Sequence, residues 1–432
     1  MSRKLIVCLD GTGNKVEERE SNILRLYKCL KHDNDQLIHY ESGVGTNTTR
    51  PLEDPRFETA MMVMGLIFGT GLAAKLIHAY SFLCKNHHDG DQIYLFGYSR
   101  GAYTARALAG FVHDFGLVAP HELHLIGPAI ESWLKLRADS KKRSDLKDIR
   151  IHQQFFHIRK TPIRFMGLWD TVGSLIRPRL SWGTFVDYVL HRNIDANPSV
   201  QAVAHALAID ERRRFFRQRH WQPDQIFQDP RPDHSAKSSP QTLSEVWFPG
   251  THTDNAGSVK REEAGLSKLT MVWMREQMDR LPEADRLLFD ENLYDRFVLG
   301  IPDDVTLEHG LKFAVPNAKG KIHDQLEINL GWRILEHFPR FRKRSKWPDK
   351  QEQEGYYQPK SEPRYIAPGS VIHPSAFERR ADALMGYDPE NLKGFEPPAP
   401  PVPASDLAAD HPPESKKEKK ASKTRQKDKI DA

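Results

Sequence analysis

A serine between two glycines, with an aspartate and a histidine further along the chain, could support acyl transfer. The run Ile93-Tyr94-Leu95-Phe96-Gly97-Tyr98-Ser99-Arg100-Gly101-Ala102 sets four apolar residues before Gly-x-Ser-x-Gly, and an alanine-rich stretch to Val112 follows. This order predicts a strand, a sharp turn and a helix, with Ser99 at the apex. Such a turn holds a hydroxyl out of the sheet for attack on a carbonyl. Side chains at 97 and 101 would crowd the adjoining strand and helix, so both positions are glycine. A helix-capping serine is the plain alternative for the same pattern.

A serine hydroxyl needs a base to take its proton, and the base needs an acid to orient it. α/β-Hydrolases carry these groups in the order serine, acid, histidine. Ser99, Asp170 and His252 follow that order. Asp170 ends Phe165-Met166-Gly167-Leu168-Trp169. His252 follows Val246-Trp247-Phe248-Pro249-Gly250-Thr251. Asp254, two residues past His252, is the rival acid and ranks second, as a group supporting the site from behind. An oxyanion hole needs two backbone N–H groups. The amide of Arg100, at the start of the helix after Ser99, is one candidate. Gly11 and Thr12, in the loop after an early strand, are candidates for the other. Asp10 either caps that loop or touches the serine turn. His121 and His124 form a short His-x-x-His that lacks the helix-borne zinc pattern, so neither a metal nor a cofactor is expected.

The elements that must position these groups follow from the apolar periodicity. Leu5–Leu9, Leu37–Tyr40, Ile93–Phe96, Ile163–Leu168 and Val246–Phe248 read as strands. Helices are expected after Ser21, over Leu72–Cys84, Val200–Ile209 and Leu266–Met278. Strands alternating with long crossovers imply an α/β fold, with a mostly parallel central sheet and helices on both faces. Ligands bind such sheets beyond the carboxyl ends of the strands. Asp10, Ser99, Asp170 and His252 each stand just past a strand. From about residue 300 the pattern weakens, and Ile328–Trp332 reads as an edge strand or a short insert. The chain divides into 1–300 as the catalytic domain, 301–395 as an extension packed on or beside it, and 396–432 as a disordered tail rich in proline and then lysine.

Composition sets outer limits. The 39% apolar residues are enough for a sizeable core, and the net charge is only +5. Residues 414–432 carry 8 Lys/Arg against 4 Asp/Glu, so the body is close to neutral and nucleic acid is not an expected partner. Three cysteines, Cys8, Cys29 and Cys84, fit neither a zinc site nor a redox pair and suit a reducing compartment. No signal peptide or membrane span is legible, which predicts a cytoplasmic protein with non-classical export left open. The charge-free stretch Ala60–Ala74 is too short to cross a bilayer and reads as a buried loop and helix, with peripheral lipid contact open.

Five ordered blocks carry a family resemblance. They are Leu9-Asp10-Gly11-Thr12-Gly13-Asn14, Gly43-Val44-Gly45-Thr46, Gly90 to Ala102, His205-Ala206-Leu207-Ala208-Ile209-Asp210-Glu211-Arg212-Arg213, and Trp247 to Asp254. Over about residues 3–300 the chain resembles the catalytic domain of Tle1-like type VI secretion phospholipase effectors. The resemblance implies an α/β-hydrolase-like fold, a Ser-Asp-His triad carried onto Ser99, Asp170 and His252, and hydrolysis of glycerophospholipids. Where the family often shows extra glycines after its His-x-Asp, this chain has Asn255-Ala256-Gly257. The expected function is a serine hydrolase of lipid esters acting through an acyl-enzyme. A serine esterase or thioesterase on a non-lipid substrate, and a silent lipid- or protein-binding scaffold, are the alternatives. An immunity or secretion partner is not readable from the sequence.

Overall fold

Strands covered by helices on both faces must be apolar on both faces, so they read as continuous hydrophobic runs. Four of the seven strands in the central sheet are buried along nearly their whole length. The computed structural model describes residues 2–11, 19–43, 71–136, 147–173, 176–177, 187–188, 191–232, 238–337, 340–342, 355–358 and 360–397. The sheet strands are β1 (Lys4–Leu9), β2 (Gln36–Glu41), β3 (Gln92–Tyr98), β4 (Ile163–Trp169), β5 (Ala202–Ala208), β6 (Thr242–Phe248) and β7 (Val371–Ile372). They lie in the order β7-β6-β5-β4-β3-β1-β2, and every pairing is parallel. All the strands therefore end on one edge.

Alternate side chains along the strands feed two cores. Leu5, Val7, Ile93, Leu95, Met166 and Leu168 pack under α2 (Leu72–Asn86) and α3 (Arg100–Asp114). Ile6, Cys8, Tyr94, Phe96, Phe165 and Trp169 pack on the other face under α1 (Asn22–Cys29). Met271 and Met274 of a longer helix, Gly265–Asp279, close the same face. Ser21 caps α1 by accepting from the Leu24 amide at 3.1 Å. Cys8, Cys29 and Cys84 are buried free thiols.

One expectation is corrected and another is narrowed. Val200–Ile209 is not a helix: its centre is β5, inserted between β4 and β6. Its alanines favour a helix in isolation, but Ala202, Ala204 and Ala206 are buried against the helix-covered face of the sheet. A strand covered on both faces and a buried helix share the same unbroken apolar run. Of the two readings of residues 328–332, the edge strand is not formed and a short helical insert is. These residues fall in two short helices, Gln325–Ile328 and Leu330–Leu335, and the edge strand is β7 instead.

Met1–Phe395 form one compact unit. β7 and the segment before it therefore belong to the same body as the sheet. Glu396–Ala432 form a second unit, of which 396–397 are described. The stretch from Val44, most of Ala60–Ala74, the basic residues 343–346 and the lysine-rich tail lie outside the described residues. No helix among the described residues is long and apolar enough to cross a membrane.

Candidate active site

The turn after β3 is strained, and its neighbours explain its composition. Ser99 has φ 58° and ψ −119°, a conformation non-glycine residues rarely adopt. It is held there by its own amide, which donates to the Trp169 carbonyl at 3.0 Å. A Cβ on Gly97 would lie 2.5 Å from the Ala102 Cα, and one on Gly101 only 2.1 Å from the Leu9 carbonyl oxygen. Neither backbone can move aside, so the strand, the turn and α3 close only on glycine.

Parallel register brings the second group alongside. Tyr98 of β3 pairs with Trp169 of β4, so Ser99 and Asp170 leave adjacent strands together. Asp170 also has a positive φ, 42°. The third group comes from the loop after β6. Thr251 caps the short helix α4 (His252–Ala256), its amide and hydroxyl donating to Asp254 Oδ2 at 2.9 and 2.8 Å. His252 is the first residue of that helix. Its Nε2 lies 2.8 Å from Ser99 Oγ and its Nδ1 2.5 Å from Asp170 Oδ2. A carboxylate can only accept, so Nδ1 carries the proton and Nε2 is left to accept from the serine. All three side chains are buried. The rings of Tyr98 and Phe216 flank the imidazole at 4.9 and 4.8 Å and shield it from water.

A residue with no motif of its own completes the chain of contacts. Arg364, fully buried, donates from Nη1 to Asp170 Oδ1 at 2.5 Å and from Nη2 to Oδ2 at 2.9 Å. It also reaches the carbonyls of Phe216 and Ala208. Ala208 N donates to Asp170 Oδ1 at 3.1 Å. Burial opposes ionisation of Asp170, but the Arg364 guanidinium and the His252 hydrogen bond outweigh it and hold the carboxyl well below the usual range. Burial likewise pushes His252 below an ordinary histidine, only partly offset by Asp170. The imidazole is therefore neutral at pH 7 and able to accept a proton.

The charged run after β5 holds the histidine loop. Asp210 Oδ2 accepts from the Gly250 amide at 2.6 Å. Glu211 Oε2 accepts from the His252 amide at 3.3 Å, while Arg213 donates to both oxygens of Glu211. Burial opposes the Glu211 charge, yet Arg213 brings its carboxyl down to about 2. The guanidinium of Arg213 also stacks 3.6 Å from the centre of Phe216, and Trp332 packs edge-on against the same ring. His205, on β5 rather than on a helix, accepts from the Thr171 amide at 3.2 Å and so steadies the turn carrying Asp170. A polar run directly after a strand was the available signal for Asp210, Glu211 and Arg213. Arg364 offers no such signal, because its partner is 194 residues away.

The remaining candidates are placed as follows. Asp254 makes no hydrogen bond to His252. It accepts from Thr251 and, through Oδ1, from His323 Nδ1 at 2.6 Å, while His323 Nε2 meets Glu263 at 2.8 Å. Asp10 accepts from Ser21 Oγ at 2.6 Å, Tyr40 OH at 2.8 Å and the Gly11 amide at 2.6 Å, which ties down the loop after β1. The Gly11 amide is thus spent on Asp10 in this structure, and Thr12 lies outside the described residues. Arg100 opens α3, where the first amides have no partner within the helix. As for metal ligands, His121, Glu122 and His157 bring one atom each within 4.8 Å of one another, without His124. Glu122 there accepts from the backbone and ring of His157, and the trio borders the small two-stranded ribbon of Leu117–Val118 and Ile158–Arg159, not the central sheet.

The Asp254–His323 pair makes a pH prediction. Its hydrogen bond to Asp254 raises His323 above an ordinary histidine. A raised folded value means the contribution is fully present below the unfolded value of about 6.5 and is lost as pH rises through the folded value. The melting-temperature gap between wild type and His323→Gln is therefore expected to be widest near pH 6 and to shrink as pH rises. A gap that widens with pH contradicts this role.

A parallel sheet whose carboxyl edge gathers a strained serine, a histidine and a buried aspartate is of the α/β-hydrolase-like class. Residues 3–277 match the family described as T6SS, Phospholipase effector Tle1-like, catalytic domain, and the chain belongs to that family. It is 30% identical over 230 residues to an uncharacterized protein of Saccharomyces cerevisiae, an alignment covering 50% of this chain and 32% of that protein. The chain thus spans about a third of the length of that curated relative. Among solved structures it is similar to an uncharacterized protein from Pseudomonas aeruginosa, at 16% identity and TM-score 0.32, over 68% of this chain and 50% of that one. It is also similar to the Tle1 effector bound to the VgrG spike of the type 6 secretion system, at 18% identity and TM-score 0.33, over 61% and 52%.

Proposed function

We propose that the chain hydrolyses carboxylic esters of lipids, phospholipids foremost, through an acyl-enzyme on Ser99. The observation that carries this reading is the single imidazole of His252 within hydrogen-bond reach of both Ser99 Oγ and Asp170 Oδ2. Membership of a phospholipase effector family supports lipid as the substrate class.

In this reading Ser99 Oγ attacks the ester carbonyl carbon and its proton passes to His252 Nε2. Asp170, ionised and clamped by Arg364, stabilises the resulting imidazolium. The oxyanion receives the Arg100 amide and the positive end of α3. His252 then returns the proton to the departing alcohol oxygen. Water, deprotonated by the same nitrogen, attacks the acyl-serine, releasing the fatty acid and regenerating Ser99.

The test is a panel of phospholipid vesicles and short-chain acyl esters, with Ser99→Ala as control. Wild type is expected to turn over members of both groups. Ser99→Ala is expected to lose about 10³-fold or more in kcat with its fold intact. Wild-type inactivity across the panel rejects the reading.

A further inference from the structure

Buried guanidinium groups around the site come with partners, and Arg100 is the exception. Arg364 sits on Asp170, Arg213 on Glu211, and Arg106 donates to the carbonyls of Ile194, His220 and Arg219. Arg100 is 8% exposed, and its Nη2 is buried without a hydrogen-bond partner. Among the described residues no carboxylate pairs with it. Burial alone acts on it and brings it down to about 10. A second cation stands nearby. Lys75 of α2, anchored on the Ser42 carbonyl, is lowered to about 8 by burial, with Arg100 adding to the push against Asp10 and Glu41.

An uncompensated buried cation is costly to the fold. An anion that binds there would remove that cost, and the helix that Arg100 opens has free N–H groups at its start that also favour negative charge. Position matters as well, since Arg100 is the residue directly after Ser99. A neutral ester offers this guanidinium nothing. A glycerophospholipid brings a phosphodiester a few bonds from the carbonyl that Ser99 would attack. Guanidinium suits that group because it can donate two parallel hydrogen bonds to phosphate oxygens.

We infer that the Arg100 side chain, with Lys75 beside it, is the subsite for the substrate's phosphodiester and sets the preference for phospholipids over uncharged lipid esters. This rests on the lipid-ester hydrolysis proposed above. The role of the side chain is separate from that of the Arg100 backbone amide, which substitution leaves in place.

The experiment compares kcat/KM of the full chain on phosphatidylglycerol and on diacylglycerol of the same acyl chains, both in the same neutral detergent micelles. Wild type is expected to favour the phospholipid. Arg100→Gln is expected to shrink the phospholipid-to-diacylglycerol ratio by about 10- to 100-fold, mostly through KM. Arg100→Lys should recover part of it. A melting temperature of Arg100→Gln at or above wild type is also expected, because an unpaired buried charge is gone. An unchanged ratio, or an equal loss on both lipids, overturns the inference. So does a lower melting temperature with the ratio intact, which would make the arginine structural. Wild-type failure on both lipids instead rejects the underlying hydrolase reading, so the two failures are distinct.

Discussion

Asp170→Asn is expected to lower kcat by about 10⁴-fold on any ester the wild type cleaves, with little change in KM. The amide cannot accept from His252 Nδ1 through both of its groups. Its NH₂ can turn toward the ring and favour the wrong tautomer, with the proton on Nε2, where it blocks the serine. The carboxylate now bonds His252 Nδ1 at 2.5 Å and has Arg364 fixing both of its oxygens, so its geometry leaves no slack. Asp254→Asn provides the contrast. Asp254 braces Thr251 and His323, and its loss should loosen the histidine loop and cost about tenfold. Similar losses from the two substitutions would mean that the orienting acid has been misassigned. Steady-state kinetics of both variants, with circular dichroism to check the fold, decides between them.

Arg364→Gln should have the second largest effect, and on two properties at once. Removing one partner of a fully buried ion pair leaves the other charge unpaired, which costs about 3–5 kcal/mol of stability. Both side chains of the Arg364–Asp170 pair are at 0% exposure, so solvent offers no screening. Activity should fall because Asp170 loses the clamp that aims it at His252. A structural role alone would stop there, but the pH profile should move too. Without the guanidinium, Asp170 exerts its full charge on His252 and favours the imidazolium. The acid limb of kcat/KM, expected below pH 6.5 in wild type because His252 is lowered, should shift to higher pH. Urea unfolding gives the first readout and the pH–rate profile the second. A destabilised variant with an unmoved acid limb would make Arg364 a packing residue only.

These two residues also mark how far the sequence could be read. The sheet edge was legible because each of its groups follows an apolar run. Ser99, Asp170 and His252 could be aligned once the strands were assumed parallel, since one edge then collects all the strand ends. The glycines at 97 and 101 gave away the elbow because contacts of 2.1–2.5 Å tolerate nothing larger. β5 was misread because alanines inside a covered sheet look like alanines inside a helix. Its register between β4 and β6 is set by tertiary pairing that no local window contains.

The extension after residue 300 was the least legible, yet it supplies Arg364, His323 and Trp332 to the site. Arg364 and His323 stand in no apolar repeat, and Trp332 closes the short alternating run from Ile328 that marked no site. Arg364 acts on Asp170 at the sheet edge, His323 on Asp254 and Glu263, and Trp332 on Phe216, each from far along the chain. The family match ends at residue 277, before all three. Support for the histidine and its acid thus comes from outside the segment that defines the family, and a chain cut near residue 300 would lack it.

The central claim is that Ser99 is the nucleophile activated by His252, and a fluorophosphonate probe tests it most directly. Such a probe reacts with a serine only when a base has drawn off its proton. Mass spectrometry of the labelled full chain should find one adduct, on the peptide carrying Ser99. The adduct should be absent from Ser99→Ala and strongly slowed in His252→Ala. Labelling that persists in Ser99→Ala, or an adduct on another residue, would contradict the account.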